Sequence, residues 1–254
     1  MSHPYFDNGG RPAALAHRGF SLEGLENSMK AFQAAVDLGF RYVETDAHGT
    51  SDGVAVALHD DTLDRTTDLT GAVAERPWAV VKRAKIGGVE PVPSLEDVLG
   101  TWPDVKVNID VKGTSGIVPV AKAIERTKSH DRVCLGSFDA TRRRETLKLL
   151  SKPVGTPAAQ REAIAWWLGT FLGADASKTL GDVDALQIPW RQNNLPIIFT
   201  HHVEKAHAAG KKVYIWTVNR RDHMEKLLDM GVDGIVSDRS DVLKEVLLER
   251  GQWA

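Results

Sequence analysis

The chain has 254 residues, enough for one large α/β core or two small ones. Its 34 acidic and 32 basic residues leave a formal charge of −2 with no like-charged block, which argues against a nucleic-acid or anionic-membrane surface. No basic segment leads into an apolar one at the N-terminus, no run of about 18 apolar residues occurs, and the single cysteine, Cys134, excludes an intrachain disulfide; a cytoplasmic protein without a membrane span is expected.

Apolar runs then alternate with segments of helical period. Ala13–His17 reads as a strand ended by Arg18-Gly19. Asn27–Leu38 carries Met29, Phe32, Ala35 and Val36 at helical spacing and stops at Gly39. Phe40–Asp46 is a strand, and Val54–His59 follows after a link containing Asp52-Gly53. A helix starts at Ser94, with Asp97 at the capping-box position. Val105–Val111 is a strand, Val118–Lys128 a helix, Arg132–Ser137 a strand and Thr141–Leu150 a helix. Lys152–Thr156 is a weak strand, Ala158–Leu172 a helix and Ala185–Pro189 a strand. Thr200–Ala209, Asp222–Met230 and Asp241–Arg250 are helices around the strands Lys212–Val218 and Gly234–Val236.

The strand count sets the architecture. Only residues 47–53 separate Val54–His59 from the preceding strand, too few for a parallel crossover, which needs about a dozen. Asp52-Gly53 is a hairpin signal, so this arm runs back antiparallel, with Asp46 opposite His59 if the hairpin is symmetric about the turn. Without that arm, eight βα units remain. The expected fold is an α/β (β/α)8 barrel, one domain over residues 1–254, with a β-hairpin and an inserted loop region at 60–92 after strand 2. A loop that long carries function or structure of its own.

Such barrels place chemistry at the C-terminal ends of their strands. Those ends hold His17, Arg18, Glu44, Asp46, Asp110, Lys112, Ser137, Trp216, Asn219 and Asp238, with His59 joining from the hairpin. Converging carboxylates repel unless a divalent cation or paired cations relieve them; oxygen donors suit Mg²⁺ or Ca²⁺, and Arg18, Arg65 or Lys112 are the ion-pairing alternative. His48 shares a strand face with Asp46 but reads as a solvated hairpin position. Cys134, in an apolar run, reads as a buried, inert thiol. His201 and His202 suit a surface or capping role. Trp166 and Trp167, with Phe171 and Leu172, suit packing of a helix on the barrel.

Several motifs occur in a fixed order. They are His17-Arg18-Gly19, Glu26-Asn27-Ser28, Glu44-Thr45-Asp46, His59-Asp60, Leu63-Asp64-Arg65-Thr66-Thr67, Trp216-Thr217-Val218-Asn219 and Gly231-Val232-Asp233-Gly234-Ile235. Together they resemble the glycerophosphodiester phosphodiesterase family over nearly the whole chain. The resemblance implies a metal-dependent barrel enzyme that cleaves a small-molecule glycerophosphodiester to glycerol 3-phosphate and an alcohol. It implies His17 and His59 as catalytic residues, Glu44, Asp46 and Asp110 as metal ligands, and Arg18, Lys112 and Trp216 at the substrate. Glu26 and Asn27 would stand behind the ligands. Asp110 stands where many members carry Glu, and Leu25 where the usual residue is Pro. A lysophospholipase D-type enzyme and a metal-independent phospholipase C-like enzyme are the alternatives.

Overall fold

The computed structural model describes residues 3–173, 175–193 and 195–253. Seven parallel strands lie side by side: β1 (Ala13–His17), β2 (Tyr42–Gly49), β4 (Lys106–Val111), β5 (Val133–Gly136), β6 (Ala185–Pro189), β7 (Lys212–Trp216) and β8 (Gly234–Ser237). Their spatial order is β5-β4-β2-β1-β8-β7-β6. The weak fifth strand forms no ladder. Isolated parallel bridges from Cys134 to Gly155 and from Pro157 to Ala185 set residues 155–157 between β5 and β6. That eighth position closes the ring into the expected barrel.

Helices cover the outside in sequence order: α1 (Met29–Asp37), α2 (Leu95–Thr101), α3 (Ile117–Thr127), α4 (Ala140–Leu147), α5 (Gln160–Phe171), α6 (Thr200–Ala208), α7 (Arg221–Asp229) and α8 (Ser240–Glu249). Their starts follow from local chemistry. Ser28 accepts from the Ala31 N–H to cap α1. Ser94 and Asp97 form the reciprocal capping box of α2. At α6 the Phe199 N–H donates to His202 Nδ1, which gives that buried histidine a capping role. Trp166 is buried on the barrel while Phe171 and Leu172 stay exposed. A short helix, Ala176–Leu180, and the paired segments Arg191–Gln192 and Leu195–Pro196 had no sequence signal strong enough to expect.

Two layers of side chains fill the structure. Val43, Ile109, Leu135, Ile215 and Ile235 point outward onto the helices. Leu15, Tyr42, Cys134, Tyr214 and Val236 form an inner cluster, joined by Tyr5 and Phe6 of the N-terminal turn. Tyr5 meets Tyr42 edge-on at 5.5 Å, and Phe6 lies 6.0 Å from Tyr214, so this turn plugs one end of the barrel. Chemistry is left to the opposite end.

The returning arm is present as β3 (Ala55–Ala57), antiparallel to β2, with a register one residue from the symmetric expectation. Ala47 pairs with Ala57 and His48 with Val56, so Leu58, rather than His59, faces Asp46; the Leu58 N–H donates to the Asp46 carbonyl. The reason is the turn. Thr50 pairs with Val54 across the three-residue loop Ser51-Asp52-Gly53, and Gly53 takes the left-handed conformation at φ 83° that such a loop demands. His59 therefore lies just beyond the paired arm. Residues 60–92 carry their own apolar cluster, in which Leu63, Val73, Val81, Ala84, Ile86 and Val92 pack with Leu25, Val56 and Leu58.

Burial raises the Cys134 thiol well above its ordinary value. The native protein should therefore resist a thiol reagent at pH 8 and release one equivalent only after denaturation. Fast reaction of the folded protein would contradict this packing.

Candidate active site

Ring closure builds the first part of the site. β1 lies between β8 and β2, so His17 at its end sits beside Glu44 on one side and the residue after β8 on the other. His17 Nδ1 is 2.5 Å from Asp238 Oδ1, and its Nε2 is 3.8 Å from Glu44 Oε2. Asn219 holds Asp238 twice: its Nδ2 donates to Oδ2 at 2.7 Å, and its Oδ1 accepts the Asp238 N–H at 2.9 Å. The chain ends of β7 and β8 thus orient one imidazole and leave its Nε2 facing the mouth. Burial alone would lower the pKa of His17, but Glu44 and Asp238 outweigh it and raise it.

The next two residues turn sharply. Arg18 and Gly19 both have positive φ, 55° and 81°. A Cβ on Gly19 would lie 2.6 Å from the Ala31 carbonyl carbon, because the Phe20 N–H donates to Ala31 O at 2.8 Å and pulls the loop onto α1. The strained turn aims Arg18 across the mouth. Its Nη1 donates to Glu26 Oε1 at 2.9 Å, and its Nε lies 2.9 Å from Asp46 Oδ2 without directing its hydrogen there. Asn27, buried and at φ 60°, donates from Nδ2 to Asp46 Oδ2 and accepts from Thr45 Oγ1.

Three carboxylates then meet. Glu44 and Asp46 share one face of β2, and Asp46 pairs with Asp110 across the β2–β4 ladder. Burial and the Asp46 charge push Glu44 up to about 7. Burial would also raise Asp46, but Lys112 and Arg18 outweigh it and hold that carboxyl down. Burial does raise Asp110, whose Oδ1 is buried without a hydrogen-bond partner. The Lys112 ammonium sits between two of them, 2.9 Å from Asp46 Oδ1 and 2.8 Å from Asp110 Oδ2. It also lies 5.3 Å from the centre of the Phe138 ring, which meets Trp216 edge-on at 5.7 Å.

His59 closes the other side. Its Nδ1 is 2.6 Å from Asp60 Oδ1, and Arg65 from the inserted segment grips Asp60 and Glu26 together. Arg65 and His59 keep Asp60 well below the ordinary carboxylate range. A continuous ion-pair chain runs His59–Asp60–Arg65–Glu26–Arg18–Asp46–Lys112–Asp110.

All the residues expected from the sequence gather here: His17, Arg18, Glu26, Asn27, Glu44, Asp46, His59, Asp110, Lys112 and Trp216. Ion pairing by Arg18 and Lys112 fills the spaces between the carboxylates, and no group of three His, Cys, Asp or Glu among the described residues forms a ready-made metal cluster. Asp60 and Asp238 had no assigned role in the sequence, although one follows His59 directly and the other stands at a strand end. The solvated position expected for His48 is corrected: it is buried, and its Nε2 lies 3.1 Å from the His59 carbonyl oxygen.

The model of the glycerophosphoryl diester phosphodiesterase family matches residues 17–242. The chain belongs to this family. It is 46% identical over 252 residues to a Mycobacterium tuberculosis protein named "Probable glycerophosphodiester phosphodiesterase 2", covering 98% of this chain and 95% of that one. A Caldanaerobacter subterraneus glycerophosphodiester phosphodiesterase is 30% identical over 254 residues, covering 93% of this chain and 98% of that protein. Among solved structures, an Oleispira antarctica phosphodiesterase in complex with the product sn-glycerol-3-phosphate shares the fold at a TM-score of 0.76. It is 22% identical and covers 94% of this chain and 98% of its own.

The Arg18-Gly19 turn is a point where this site can be broken without touching a charged group. G19A should cost at least about 2 kcal/mol of stability, read by chemical denaturation. A variant as stable as the parent would show that the loop tolerates a side chain.

Proposed function

We propose that this protein hydrolyses glycerophosphodiesters to glycerol 3-phosphate and an alcohol, using a divalent cation and two histidines. The observation that carries the reading is the matched pair of imidazoles. Each has its Nδ1 tied to a carboxylate, Asp238 or Asp60, which fixes the tautomer and presents Nε2 as the proton-transfer atom. The names of the two relatives and the product bound to the Oleispira protein support the substrate class.

The donor set fits a hard cation. Glu44, Asp46 and Asp110 offer only oxygen, two of them are driven toward neutrality by burial, and Asp110 Oδ1 lacks any partner. These three would hold Mg²⁺ or Ca²⁺, with Glu26 and Asn27 behind them. When bound, the cation supplies positive charge to the phosphate oxygens. Arg18 and Lys112 then turn from the carboxylates to the phosphate, as a planar fork and a point charge. The Trp216–Phe138 pair gives the substrate an apolar wall.

One histidine takes the proton of the glycerol 2-hydroxyl, and that oxygen attacks phosphorus. The other donates a proton to the oxygen of the departing alcohol as its P–O bond breaks. Water next adds to the cyclic phosphate with the roles reversed, opening the ring to glycerol 3-phosphate. General acid–base catalysis contributes about 10²–10⁴-fold, so H17A and H59A should each lower kcat by at least about 100-fold with folding intact. Activity on a panel of glycerophosphodiesters should vanish with a chelator and return with Mg²⁺ or Ca²⁺. Turnover that survives the chelator would favour a metal-independent, phospholipase C-like reaction.

A further inference from the structure

His59 begins the irregular segment after β3, and an acid–base group on irregular chain needs more than one restraint to hold its geometry. Asp60 fixes its ring. Its backbone is fixed from a different element. His48 on β2 is buried, and its Nε2 reaches the His59 carbonyl oxygen at 3.1 Å. A carbonyl oxygen only accepts, so Nε2 carries the hydrogen and donates. The β2–β3 ladder pairs His48 with Val56, and the Leu58 N–H donates to the Asp46 carbonyl. The His48 bond extends this attachment by one more residue, past the point where main-chain pairing ends. An apolar side chain at position 48 could fill the space but would leave a carbonyl without its donor and His59 free to drift.

We propose that His48 is a positioning residue, a third histidine of the site that pins the His59 main chain so that the His59 ring stays aligned for proton transfer. The proposal rests on the reading of His59 as an acid–base group. His48 itself touches neither substrate nor cation in this role. What it provides is an N–H at the Nε2 position, which the Gln side-chain amide can also supply.

Misplacement of a reacting group by about 1 Å can cost on the order of 100-fold. H48L should therefore lower kcat roughly 10-fold to 100-fold while KM changes by less than about twofold. H48Q should recover most of the lost rate. In an H59A background, H48L should slow the residual activity no further, since the ring it serves is gone. For the unaltered protein, a long-range ¹H–¹⁵N spectrum of the imidazoles should show His48 as the Nε2–H tautomer, which tests the bond without any variant. The proposal is overturned by an Nδ1–H pattern, by a kcat of H48L equal to the parent, by H48Q as slow as H48L, or by additive losses in the double variant. An active H59A would instead overturn the proton-transfer reading, whereas an inactive H59A beside a fully active H48L would sink only the role of His48.

Discussion

Too much negative charge in too little water is the constraint around which this site is arranged. Glu44, Asp46 and Asp110 converge, largely buried, on the strand ends of a barrel whose inner cluster is mostly apolar, where an unpaired carboxylate is costly. Lys112 answers by inserting its ammonium between Asp46 and Asp110, and Arg18 covers the other side of Asp46. The remaining carboxylate, Glu44, has only His17 Nε2 at 3.8 Å and the Arg18 N–H at its oxygen, and burial with the Asp46 charge drives it up to about 7. Arg18 can reach Asp46 only because the chain reverses through two residues of positive φ directly after β1.

The barrel's closure does the rest. His17 finds Asp238 because β1 and β8, first and last in the chain, are neighbours in the ring. The His59 ring finds Asp60 in the next residue, and Arg65 of the inserted segment in turn holds Asp60. One imidazole ring is therefore oriented by the rigid frame and the other through an added structure with its own small core. Arg65 joins the two halves through Glu26, which also grips Arg18. Movement of the inserted segment would be felt at Arg18.

Much of this was legible in the sequence, for physical reasons. Strand and helix periods differ, so the eight units could be counted, and the short link at Asp52-Gly53 could only be a hairpin. Strand alternation places Glu44 with Asp46 on one face from the sequence alone. The hairpin register was not legible, because a Gly at φ 83° makes a three-residue loop where the dipeptide alone suggests two. The fifth strand was faint in the sequence and is faint in space, holding its place by single bridges. His48 looked solvated because histidine on a hairpin usually is. Its burial depends on the neighbouring strand and on the chain after β3, which no local pattern encodes. The sequence allowed either a cation or ion pairs among the carboxylates. The ion pairs are formed, and the unpartnered Asp110 oxygen keeps the case for the cation.

Under the proposed function, a phosphate would draw Arg18 and Lys112 away and a divalent cation would take the carboxylates they leave. Calorimetric titration of Mg²⁺ or Ca²⁺ into the protein, with and without saturating sn-glycerol 3-phosphate, tests it directly. Cation binding should tighten when the phosphate is present, and phosphate binding should tighten by the same factor with the cation. Affinities independent of one another, or weakened by the second ligand, would contradict the exchange.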